Sequence, residues 1–231
     1  MEKIDPTASS GNILENVISK VGEVYDRIER DQTDFLASAA ASGSALVCPR
    51  GCGLCCEPFV PDITAAEAVF AASWLIAQKP ELAAEVASWT PDDRPDAPPC
   101  PFYRRLVPEA HCAIYPARFL VCRLFCASAV RDKEGRAAFR PCTHMSLAVF
   151  PRRGEERPTL VGAELVRIFG AEPPVMADYS AEVVALFPSE ASEAALVLDA
   201  LPKAIARVGL SLSLAGASSD RAYSKRDERE E

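Results

Sequence analysis

Cys48-Pro49-Arg50-Gly51-Cys52-Gly53-Leu54-Cys55-Cys56 puts four cysteines into nine residues, with two glycines and a proline among them. Gly and Pro are poor in helix interiors, so the run reads as a knuckle. Its glycines let the backbone curl and turn sulfurs toward one centre. A second batch follows at Cys100, Cys112, Cys122 and Cys126, with Cys142 further on. Thiolates two or three residues apart can reach one ion, and Cys52-x2-Cys55 has that gap. Cys122-x3-Cys126 has the i, i+4 spacing that predicts both sulfurs on one helix face. Cys55 and Cys56 are adjacent, and neighbouring side chains diverge. Two ligand sets, or one cluster with a further thiol beside it, would both accommodate them. Cys142 stands outside the paired spacings and is expected to leave metal binding alone. His111 and His144 are the only histidines, and with so many grouped thiols neither is needed as a ligand.

The nine cysteines are an odd number, which fits a disulfide framework poorly. A chain of 231 residues buries a core without such staples. No apolar run reaches the ~20 residues of a membrane span. Met1 to Asn12 lacks the basic-then-apolar order of a signal peptide. The expected location is therefore the cytoplasm, where thiols stay reduced and clustered cysteines serve as ligands or catalysts. A net charge of −8 argues against non-specific nucleic-acid binding. Phosphate-binding glycine loops are missing, and no paired carboxylates or Ser-His arrangement stands out.

Apolar residues from Ile13 to Leu36 recur at three- and four-residue steps, which predicts one long amphipathic helix over Gly11–Ala41. Leu14, Val21, Ile28 and Phe35 are spaced by sevens, a pattern that also suits pairing with a second copy. Glu57 to Pro61 reads as extended. Asp62 or Thr64 is expected to cap a helix, with Glu67 three residues beyond Thr64 as in a capping box, and a break at Pro80 precedes a shorter helix. Prolines crowd residues 91–101 and form a stiff loop delivering Cys100. One or two short strands are expected within 137–150, and a strand then a helix within 159–169. Residues 173–214 are helical in pattern, divided at Pro188 and Pro202. The fold expected is mainly α with little β, an irregular cysteine-rich metal-binding core flanked by helices. One domain spans 13–215, with disordered ends at 1–12 and 216–231.

Cys48-x3-Cys52-x2-Cys55 matches the three-cysteine signature of radical S-adenosylmethionine enzymes. Leu54 stands where that family has an aromatic residue, however, and the alternating strand–helix pattern of its barrel is missing. The whole set resembles something more particular. Cys48-x3-Cys52-x2-Cys55-Cys56, Cys100-Pro101-Phe102, Cys112-Ala113-Ile114-Tyr115-Pro116-Ala117-Arg118 and Cys122-Arg123-Leu124-Phe125-Cys126 together look like the YkgJ-type cysteine-cluster proteins. Those are described as zinc- or iron-chelating domains, and the module is similar to part of flagellin lysine N-methylases. The likeness covers residues 48–126. Phe119 departs from it, standing where the family has Pro. The resemblance implies metal ligation by Cys48, Cys52, Cys55, Cys56, Cys100, Cys112, Cys122 and Cys126. Beside it, Arg118 and Arg123 have a physical reading: a guanidinium offsets the negative charge of thiolates around a metal. Tyr115 has a hydroxyl to donate.

These residues lead to an iron–sulfur protein with a redox or protein-modifying role. The alternatives are a zinc protein in which metal holds the fold or presents a surface, and a methylase-like enzyme acting on a protein lysine. Expected partners are a protein substrate or partner and a second copy through the N-terminal helix. Nucleic acid and membrane are not expected.

Overall fold

The computed structural model describes residues 10–48, 53–90, 99–107, 111–125, 127–142, 145–147, 157–187 and 194–227. Helix α1 (Ser10–Ala41) runs through the molecule as its spine. Leu14, Val17, Val21, Val24, Tyr25, Ile28 and Phe35 are each 6% exposed or less, so the seven-residue stripe is consumed within the chain's own core. Helix α2 (Ala65–Gln78) packs on α1. Its start is the expected capping box: the Glu67 amide donates to Thr64 Oγ1, and the Glu67 carboxylate accepts from the Thr64 amide at 2.8 Å. Helix α3 (Pro80–Ala87) begins on the proline that ends the preceding helix, because a first-turn residue has no amide bond to lose.

After a 3₁₀ turn at Tyr115–Ala117 comes the short helix α4 (Leu120–Leu124). It ends at Leu124, and Cys126, expected to share a helix face with Cys122, lies outside the described residues. Helices α5 (Ala163–Phe169), α6 (Met176–Ala185) and α7 (Val197–Asp227) complete the set. Pro202 does not divide the last of these but lies inside it. A proline six residues into a helix forfeits one amide bond near the start, and burial of Val197, Leu201, Ala204, Ile205 and Val208 outweighs that loss. The helix also runs through Asp227, into the stretch expected as a tail.

Strands are short, and among the described residues the strand pairs are antiparallel, with one isolated parallel bridge between Ala129 and Val175. β1 (Leu46–Val47) pairs with β5 (Ser146–Leu147), and β2 (Asp62–Ile63) with β7 (Ala195–Leu196). β4 (Ala137–Phe139) lies between β3 (Val130–Arg131) and β6 (Leu160–Val161). The fold is mainly helical, as expected. Among the described residues, no helix is long and apolar enough to cross a membrane.

Buried residues form two clusters along α1. The larger joins Leu14 to Ile28 of that helix to α2, α3, α6, α7 and the segment carrying Cys100 to Leu124. The smaller joins Phe35 and Ala39 to the β-strands and α5. There Phe35, Phe139 and Phe169 meet edge to face, with ring centres 5.6–5.9 Å apart. The cysteine segment lies over the larger cluster and leads into the smaller.

Candidate metal centre

The described part of the knuckle is a turn closed by the Cys56 amide on the Gly53 carbonyl, 2.8 Å. Gly53 is there because nothing larger fits. A Cβ at that position would overlap the Tyr103 ring and come within 2.8 Å of His111 Cβ. The Cys56 carbonyl then accepts the Cys100 amide at 3.0 Å, fastening the second cysteine batch to the first. Tyr103 bridges Cys112 in antiparallel fashion, flanked by Ala113 N to Phe102 O at 2.9 Å and Arg104 N to His111 O at 2.7 Å. This pairing fixes Cys112 relative to Cys100. Phe102, Ile114 and Phe119 are buried at 2% exposure or less and anchor the segment in the larger core. Cys122 follows on α4.

Cys55, Cys56, Cys100, Cys112 and Cys122 are thiols near enough for the charge of one to act on others. Burial pushes Cys100 up to about 11 and Cys122 up to about 12, and it raises Cys112 as well. Neighbouring sulfurs add to each rise. Cys55 is exposed and behaves oppositely, lowered to about 6 by a hydrogen bond from Cys56 and by Arg118. Cys56 is raised by the same hydrogen bond and by burial. Thiols crowded out of water beside one another are stabilised by a cation that replaces their protons. The donor set therefore fits a thiophilic metal. Among the described residues, however, no three such side chains already stand in a geometry that encloses an ion.

Of the other predicted ligands, Cys48 is exposed at the end of β1, while Cys52 and Cys126 lie outside the described residues. Cys142 was set apart by its spacing, but β1 and β5 bring it back. Val47 pairs with Ser146, and the Met145 amide bonds the Cys142 carbonyl at 3.1 Å. Cys48 and Cys142 therefore leave the ribbon at the same end, a neighbourhood that no local spacing reveals.

Arg118 acts on Cys55 and Cys112 and also lies over the Tyr115 ring, 4.2 Å from its centre. Tyr115 itself is 59% exposed. Arg123 is buried and braces the backbone instead. Its Nε donates to the Arg118 carbonyl at 3.0 Å, Nη2 to the Pro116 carbonyl, and Nη1 to Glu29 at 2.6 Å. That brace folds the chain between Cys112 and Cys122 back on itself. Gln32 on α1 adds a bond from Nε2 to the Arg123 carbonyl, 2.9 Å.

Sequence reasoning passed over three residues here. Arg104 lowers Cys100 and Cys112; its position four residues after Cys100 was the available signal. Glu67, read only as a cap, is buried and also accepts the Leu120 amide at 2.7 Å. It thereby ties α2 to the start of the helix bearing Cys122. Tyr25 looked like one more apolar position of α1.

Residues 47–143 match the model of the CxxCxxCC family, described as a “Putative zinc- or iron-chelating domain”. No curated protein and no solved structure matches the chain.

Proposed function

Taking residues 47–143 as a CxxCxxCC cysteine-cluster domain that binds metal, we propose that the chain holds an iron–sulfur cluster with a redox or protein-modifying role. One observation carries this reading: five thiols, including the adjacent Cys55 and Cys56, gather in a single electrostatic neighbourhood. One tetrahedral zinc takes four thiolates. A cluster is wider than one ion, so it can draw ligands from several directions and leave a thiol beside it. The proposed ligands come from Cys48, Cys52, Cys55, Cys56, Cys100, Cys112, Cys122 and Cys126. Arg118 and Arg104 offset the negative charge of the centre, and Arg123 holds the loop between two of its ligands.

Such a cluster, when bound, supplies one-electron transfer. Arg123, Glu67 and Gln32 hold the polypeptide still around it. Leu54 and Phe125, next in sequence to Cys55 and Cys126, and Tyr115, three residues after Cys112, are exposed, which supports a protein as substrate or redox partner. A reducing compartment such as the cytoplasm keeps the thiols available.

A second reading is a structural zinc site. Its support is that the cysteines sit on separate pieces of chain (the knuckle, the 99–107 loop, the 111–114 segment and α4), which one ion would tie together. Iron, zinc and acid-labile sulfide measured on protein purified without oxygen decide between the two. Brown protein with iron and sulfide in similar amounts supports the cluster. Colourless protein with stoichiometric zinc and no sulfide makes the structural reading the better one.

A further inference from the structure

Gln32 is buried on α1, and its side-chain nitrogen serves two pieces of chain at once. Nε2 donates to the Arg123 carbonyl at 2.9 Å and to the Ser128 hydroxyl oxygen at 3.0 Å. A carbonyl only accepts, so the group facing it is the nitrogen, and the two bonds use both amide hydrogens. Arg123 contributes one of the terminal carbonyls of α4, which have no partner inside their own helix. Gln32 thus closes the end of the helix that carries Cys122. The stretch from Arg123 to Ser128 would span about 17 Å if extended. Instead its two ends meet at one nitrogen atom, so the chain leaving Cys122 is folded back. In sequence that stretch includes Cys126, another of the proposed ligands.

Each end also has an anchor of its own. Arg123 is braced by Glu29, Arg118 and Pro116 and rests on the Tyr25 ring of α1, 4.1 Å from its centre. Ala129, next to Ser128, accepts from the Met176 amide and donates to the Pro174 carbonyl, both at 2.8 Å, where α6 begins. Gln32 couples these two anchors. We propose that Gln32 and Ser128 form a clamp that fixes the direction of Cys122, making both of them positioning residues of the metal centre. The inference rests on the metal-centre reading above, with Cys122 as a ligand. A sulfur whose backbone is already held gives up little freedom when metal arrives, and one that can drift lets the metal go sooner.

The test compares the whole chain in four forms purified without oxygen: wild type, Ser128→Ala, Gln32→Met and the double variant. Iron and zinc per chain are measured first. The rate of metal loss to EDTA, the sulfur-to-metal charge-transfer absorption and the urea unfolding of loaded and metal-free protein follow. Ser128→Ala removes one bond and almost no bulk, so it decides the question should Gln32→Met fail to fold. It is expected to carry metal at the wild-type ratio, to release it about 10- to 100-fold faster, the range for lost support around a metal ligand, and to show a displaced band. Because the two residues act through one bond, the double variant should release metal no faster than Gln32→Met alone. Wild-type release and a superimposable band in Ser128→Ala would overturn the clamp and leave the metal centre standing. Effects that multiply in the double variant would overturn it too. Unchanged bands, with stability lost equally with and without metal, would assign both residues to the fold instead. Wild type that carries no metal would overturn both the centre and this inference.

Discussion

Gly53 and Glu67 show how single residues shape the cysteine site. Gly53→Ala forces a methyl group against Tyr103 and His111, and overpacking of this kind costs about 1–3 kcal/mol. We expect the urea midpoint of the loaded protein to fall accordingly, with metal bound less tightly; an unchanged midpoint would mean that the knuckle is looser than described. Burial raises the Glu67 carboxyl above its ordinary 4.5. The folded form thus holds that proton more tightly than the unfolded form does. Its stabilising contribution is complete below about 4.5 and is lost as pH rises through the folded value. Glu67→Gln lacks this titration. The stability of wild type relative to Glu67→Gln should therefore decline as pH rises from 4 to 7, and parallel urea profiles across that range would refute it. Neither residue's tertiary role could be read locally. Gly53 is constrained by residues some fifty positions away, and the Leu120 amide reaches Glu67 across a similar distance.

Secondary elements were legible where their causes are local. The three- and four-residue rhythm of α1, the Thr64 box of α2 and the proline start of α3 all follow from near neighbours. Thr64→Ala should cost about 1–2 kcal/mol, the loss of a helix cap, and Thr64→Ser should restore most of it; equal stability of all three chains by urea unfolding would exclude the cap. What the sequence concealed depends on distant partners. The pairing of Tyr103 with Cys112 and the return of Cys142 toward Cys48 are made by contacts that no periodic pattern announces. Pro202 misled because a buried helix face outweighed one missing bond.

At the scale of the molecule, the helices bury their own apolar faces, whereas the knuckle has little apolar surface beyond Leu54, which is 39% exposed. We expect ligation to fix much of its shape. Chelation should therefore release amide protection over residues 53–61 while α1, α2 and α7 keep theirs, and hydrogen exchange that leaves the knuckle unchanged would separate its fold from the metal. The central claim is that Cys55, Cys56, Cys100, Cys112 and Cys122 belong to one metal centre. Alkylation of each thiol, followed by mass spectrometry before and after chelation without oxygen, tests it most directly. Thiols of one centre should be shielded together by metal and become reactive together, at a common rate, when it is removed. Five cysteines that react at the same individual rates with and without metal would contradict it.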